Sequence, residues 1–152
     1  VSSRDAAHGA SDAIGSALYG LATRAVRRLP RDMSLTSAAT LATLDKTGPR
    51  RITDLALAEG VTQPAMTVLV RVMEESGLVE RKGDPSDRRV TLVCLTEAGA
   101  SYVRTRRRAG VDAYARLIDE LTGDEVEALE AALPALLHLA ELESRAREES
   151  DR

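Results

Sequence analysis

Two short stretches carry residue types at spacings that could do chemistry. The first is Thr62-Gln63-Pro64 with Thr67, Val68 and Arg71. At 100° per residue on a helix, Pro64, Thr67, Val68 and Arg71 lie opposite Met66, Leu69, Val70 and Met73, with Thr62 and Gln63 at the N-terminal tip. A glutamine amide pairs with an adenine edge, and an arginine reaches guanine or phosphate. Val68 or the Thr67 methyl suits a thymine methyl. First-turn N–H groups and the positive dipole end suit a phosphate. Glu74 and Glu75 enter only in the last turn, away from that tip. The second stretch is Asp87-Arg88-Arg89, closing the turn-forming run Gly83-Asp84-Pro85-Ser86-Asp87-Arg88-Arg89. Guanidiniums at a turn tip can enter a narrow, electronegative minor groove. A short carboxylate beside them holds one in a single rotamer and lowers the entropic cost of insertion. A plainer reading fits each stretch alone: a capped, solvated helix, and a solvated turn whose ion pair contributes little. Taken together, they point to nucleic acid.

Those residues need particular elements to position them. Ser11 as cap, followed by Ile14, Leu18, Leu21, Ala25 and Leu29 at spacings of three and four, predicts a first helix closed by Pro30. A second helix begins near Thr36, carries Ala38, Leu41 and Leu44, and stops at Gly48-Pro49. A short third follows Thr53 as its cap, with Leu55, Ala56 and Ala58 inside and Gly60 after it. Thr62 caps a fourth, which Gly77 terminates. Residues 78–82 and 90–95 read as two strands flanking the turn-forming run. Thr96-Glu97 restarts helix to about Leu121. Thr122-Gly123-Asp124-Glu125 then fits a capping box for a last helix bearing Val126, Leu129, Leu133, Leu136, Leu137 and Ala140. Pro134 predicts a kink there, and the polar tail after Glu143 is expected to fray. A short helix, tight turn, second helix and hairpin in that order make a winged helix-turn-helix.

Composition narrows the class. The chain has 152 residues, 43% hydrophobic and 30% charged, with one cysteine and a net charge of −3. This excludes disorder and leaves room for one domain with an appended oligomerisation element. Charges interrupt every apolar run, so no membrane span is expected. The opening lacks a basic stretch followed by an apolar block, so no secretory signal is expected. A lone cysteine excludes an intramolecular disulfide and a cysteine-based zinc site, and fits a cytoplasmic protein. Charge is uneven along the chain: +2 over residues 1–49, +3 over 50–108 and −8 over 109–152. The acidic end therefore does not speak against a nucleic-acid-binding middle.

The run Gly77-Leu78-Val79-Glu80-Arg81-Lys82-Gly83-Asp84-Pro85-Ser86-Asp87-Arg88-Arg89 continues Val90-Thr91-Leu92-Val93-Cys94-Leu95-Thr96-Glu97-Ala98-Gly99. It resembles the G-L-[VI]-x-R…D-x-x-D-x-R…L-T-x-x-G signature of the MarR family of bacterial winged-helix regulators. The resemblance covers roughly residues 11–143. It implies a homodimer, intertwined through the first and last two helices, that presents two recognition helices and two wings to a pseudopalindromic double-stranded operator. It further implies Arg89 as the minor-groove arginine, Asp87 as its positioning partner, and Thr62, Gln63, Pro64, Thr67 and Arg71 facing the major groove. Val68 departs from the family, which often carries a basic residue there. Family regulators are often released from DNA by small anionic aromatic or lipophilic compounds held between the dimer helices and the DNA-binding lobe. Tyr19, Arg24 and Arg27 are candidate liners, although the two arginines read more naturally as solvated or phosphate-directed, and no ligand identity follows.

The expected fold is thus mainly α with a small β-hairpin wing. Residues 34–99 would form the DNA-binding domain, and 11–33 with 100–148 a helical dimerisation region. The apolar stripes Ile14, Leu18, Leu21, Leu29 and Leu129, Leu133, Leu136, Leu137 independently ask for a second copy, since a body of this size cannot cover them. The acidic 109–152 region would then lie on the dimer body, away from DNA. Tyr114 reads as packing, and Cys94, between Val93 and Leu95, as a small core residue rather than a thiol sensor. His8 and His138 form no ligand pattern, so neither metal nor cofactor is expected. No nucleophile elbow, phosphate loop or histidine–base pair is visible, so no enzyme is expected. The function expected is sequence-specific DNA binding in a ligand-relieved repressor. The alternative is a winged-helix module that binds a protein partner through the same surface.

Overall fold

The computed structural model describes residues 3–28, 32–87 and 89–150. Arg88 and the expected helix end at Leu29-Pro30 lie outside the described residues. The chain divides into two compact units, Val1–Asp32 and Met33–Arg152.

The first unit is one helix, α1 (Ser3–Arg28). It begins at Ser3, so Ser11 sits inside the helix instead of capping it. Gly9 costs roughly 1 kcal/mol of helix propensity relative to alanine, too little to stop the helix there.

The second unit holds everything else. In α2 (Leu35–Thr47), Ser34 is the N-cap and its hydroxyl accepts from the Ser37 N–H at 3.0 Å. Helix α3 (Ile52–Ala58) starts directly after Arg51, and Thr53, the expected cap, lies within its first turn. The reason is upstream. Arg50 forms an antiparallel bridge with Val93 (Arg50 N–H to Val93 O 3.1 Å, Val93 N–H to Arg50 O 2.7 Å). The backbone is therefore extended up to Arg51, and the helix begins at the next residue. Gly60 turns the chain with φ +63°, and α4 (Gln63–Glu75) follows, capped by Thr62 as expected. Gly77 ends it with φ +72°, its N–H donating to Glu74 O while the Leu78 N–H donates to Met73 O, a glycine C-cap.

Strands β1 (Val79–Gly83) and β2 (Thr91–Leu95) pair antiparallel, from Val79 opposite Leu95 to Gly83 opposite Thr91. Helix α5 (Glu97–Ile118) is capped by Thr96 and ends slightly before Leu121. Helix α6 (Gly123–Ser150) includes Pro134 without ending there and runs past Glu143, where fraying was expected. A charged segment can remain helical on i,i+4 pairs such as Glu141–Arg145, 3.8 Å apart. One arm of the expected capping box forms: the Thr122 N–H donates to Glu125 Oε2 at 2.8 Å. The Thr122 hydroxyl donates to that same oxygen, a donor where the pattern predicts an acceptor.

The core joins α2 (Leu41, Leu44), α3 (Leu55, Ala56), α4 (Met66, Val70, Met73) and the hairpin (Val79, Val93). Leu69, Tyr102 and Val103 pack partly buried against it. Two polar contacts fix neighbours: Thr43 Oγ1 donates to Glu59 Oε1 at 2.8 Å, tying α2 to the helix-turn-helix corner, and Lys46 Nζ donates to Ser144 Oγ at 2.8 Å, tying α2 to α6. No described helix is long and apolar enough to cross a membrane.

Candidate nucleic-acid interface

Helix α4 sorts its residues by side. Met66, Val70 and Met73 are buried and Leu69 half-buried, while Thr62, Gln63, Pro64, Thr67, Val68 and Arg71 are all exposed. Thr62 Oγ1 accepts from the Ala65 N–H at 3.4 Å, and Thr67 Oγ1 donates to the Gln63 carbonyl at 2.9 Å. The Thr67 hydroxyl is thus bound to its own helix, as threonine often is at this spacing. Arg71 Nε lies 3.8 Å from Glu75 Oε1, both exposed. Such a pair is weak and leaves the guanidinium free to take a stronger anion.

The hairpin tip is knit by two aspartates. Asp84 Oδ1 accepts from the Ser86 N–H at 2.8 Å and the Ser86 hydroxyl at 2.6 Å. These bonds, hydroxyl first, hold the Asp84 carboxyl below its ordinary range, with a smaller contribution from the Arg51 charge. Asp87 Oδ1 accepts from the Arg89 backbone N–H at 3.0 Å and from Arg89 Nε at 3.2 Å. The Arg89 side chain is 91% exposed, so it projects from the turn while anchored at its Nε. Further bonds, Asp84 N–H to Val90 O and Val90 N–H to Asp87 O, close the turn around them. Lys82 Nζ sits 2.7 Å from Glu80 Oε1, which raises its pKa.

Pro64, Thr67, Val68 and Arg71 share one exposed side of α4, Thr62 and Gln63 are exposed at its N-terminal tip, and Asp87 and Arg89 meet at the wing tip. Two exposed cations were missed. Arg50 is held at the wing base by its bridge to Val93, with Nε donating to Thr47 Oγ1 at 3.1 Å, and Arg51 is the N-cap of α3. A single-residue bridge carries no periodicity, and after Gly48-Pro49 it reads as loop; the adjacent arginines were the one available signal. Cys94 is buried in β2 as expected. Among the described residues, no cluster of histidine, cysteine or carboxylate could hold a metal ion.

Helix, turn, helix and anchored hairpin define a winged helix-turn-helix protein. Residues 33–91 match the MarR family model. The chain is 32% identical over 126 residues to the uncharacterized HTH-type transcriptional regulator Mb0904 of Mycobacterium bovis, covering 77% of this chain and 88% of that one. It therefore belongs to the MarR family of HTH transcriptional regulators. It is also 26% identical over 123 residues to the HTH-type transcriptional repressor IacR of Pseudomonas putida, covering 80% of this chain and 74% of the relative. The solved transcriptional regulator Tm0710 of Thermotoga maritima shares the fold, with a TM-score of 0.77 at 20% identity over 88% of this chain and 98% of that one.

Proposed function

We propose that this regulator binds double-stranded DNA sequence-specifically as a homodimer and represses transcription until a small-molecule ligand relieves it. The observation that carries the DNA reading is the shared exposure of Thr62, Gln63, Pro64, Thr67, Val68 and Arg71 on α4, beside a wing whose Arg89 is tethered through Asp87. Gln63 supplies an amide for an adenine edge and Arg71 a cation for guanine or phosphate. Arg89 enters the minor groove from the wing, with Arg88 beside it in the sequence. Arg50 and Arg51 add phosphate contacts at the wing base.

Two copies are favoured by the terminal helices, where Leu129, Leu133, Leu136 and Leu137 of α6 and Ile14 and Leu21 of α1 are exposed. On this reading, residues 34–99 are the DNA-binding domain and 11–33 with 100–148 the dimerisation region. The repressor assignment follows the likeness to IacR, and ligand relief follows the family resemblance.

The test is selection of bound duplexes from a random pool at about 150 mM salt, where sequence-independent binding is weak. An enriched pseudopalindrome with half-sites about one helical turn apart is the expected result. Retention without enrichment would reduce the protein to a charge-driven binder. No retention by ligand-free, refolded protein would favour a protein partner for the same surface.

A further inference from the structure

The outermost position of α4 is apolar. By the 100° wheel, Val68 lies nearly diametrically opposite the buried Met66, Val70 and Met73. It is 53% exposed, and Val72, one turn on, is 49% exposed; Ala65, one turn back, is exposed too. Among the described residues between 33 and 95, the exposed large hydrophobics are Leu35, Leu57, Val68 and Val72. Two of these four share the outward face of one helix. Neither valine contributes to the core, and both are poorer helix formers than alanine. Beside them, Thr67 Oγ1 is engaged within the helix by the Gln63 carbonyl, while Arg71 is held only loosely by its exposed pair with Glu75. Thr67 thereby keeps its methyl as an outward feature.

We propose that this face reads the C5-methyl of a thymine in each half-site, with Val68 as the contacting residue and Val72 and Ala65 extending its apolar surface. The proposal rests on the DNA reading above and names what that surface recognises. In the major groove the thymine methyl is the one apolar group a base edge presents. A valine at the outermost helix position meets it by excluding water from both. A longer polar or basic side chain there would instead reach past it to acceptors.

The experiment uses the full chain and the duplex enriched by selection. Each thymine is replaced in turn by deoxyuridine, which keeps pairing and the O4 acceptor and removes only the methyl. At one position in each half-site, affinity is expected to fall about fourfold, and about fifteenfold when both half-sites are altered. The Val68→Ala variant, truncated at an exposed site, is expected to keep its helicity and dimer and to discriminate the thymine from the deoxyuridine operator less than the parent does. Wild-type protein that ignores every deoxyuridine overturns the proposal and leaves DNA reading intact. So does an enriched half-site without thymine, or Val68→Ala that discriminates as strongly as the parent. Failure of any duplex to enrich overturns the DNA reading itself, and this proposal with it.

Discussion

Between residues 33 and 95, Leu41, Leu55, Met66, Val70 and Val93 are each 0% exposed. In α6, Leu129, Leu133, Leu136 and Leu137 are all exposed, Leu137 to 60%. The two regions carry comparable apolar side chains and differ in what covers them. The winged-helix body closes its core from three helices and a hairpin of one chain. Helix α6 keeps an apolar stripe whose burial, on the dimer reading, comes from a second copy. Stability in the first region is therefore intramolecular, and in the second, on the same dimer reading, it depends on protein concentration.

That contrast can be broken by mutation. The largest effect is expected from Leu133→Asp combined with Leu137→Asp, which removes two leucines worth roughly 2–5 kcal/mol each when buried. Sedimentation should show monomer at concentrations where the parent is dimeric; a dimer of unchanged affinity would remove α6 from the interface. Met66→Ala is expected to cost about 2–5 kcal/mol. Its chemical denaturation midpoint should shift by the same amount at low and high protein concentration, unlike that of the α6 variant. Arg89→Ala should leave both regions intact and weaken operator binding by roughly 1–3 kcal/mol; unchanged binding would take the wing off the DNA. The smallest effect is local. The Asp84 carboxyl is held below its ordinary value of 3.8, so its bonds to Ser86 are present at neutral pH and lost as pH falls through that lowered value. The Ser86 amide resonance should titrate with a midpoint below 3.8.

The sequence made the body more legible than its margins. Gly77, Thr96 and the second helix of the helix-turn-helix were readable because caps and 3.6-residue periodicity leave local marks. The wing turn was readable from its aspartates, although which oxygen binds which donor was not. The start of α1 at Ser3 was missed because residues before Ser11 lack an apolar rhythm. The continuation of α6 to Ser150 was missed because a helix charged on all sides looks like a tail. The cap of α3 was misplaced because a long-range bridge, Arg50 to Val93, set the backbone there. On the candidate interface, the α4 face followed from spacing alone. Arg50 and Arg51 did not, since their placement depends on a strand more than 40 residues away.

Gly99, the glycine that closes the run carrying the family signature, has a mechanical consequence. A β-carbon there would strike the Leu78 carbonyl oxygen, and Thr96 Oγ1 already donates to Gly77 O at 2.7 Å and Leu78 O at 3.1 Å. The first turn of α5 is thus welded to the corner where α4 hands over to β1. At 1.5 Å per residue, α5 is a lever of roughly 33 Å with its short arm at that weld. A sideways displacement of about 3 Å at the far end, near Ile118, turns the welded corner through roughly 5°. On the DNA reading, the pitch at which α4 would meet a groove is therefore geared to the far end of α5.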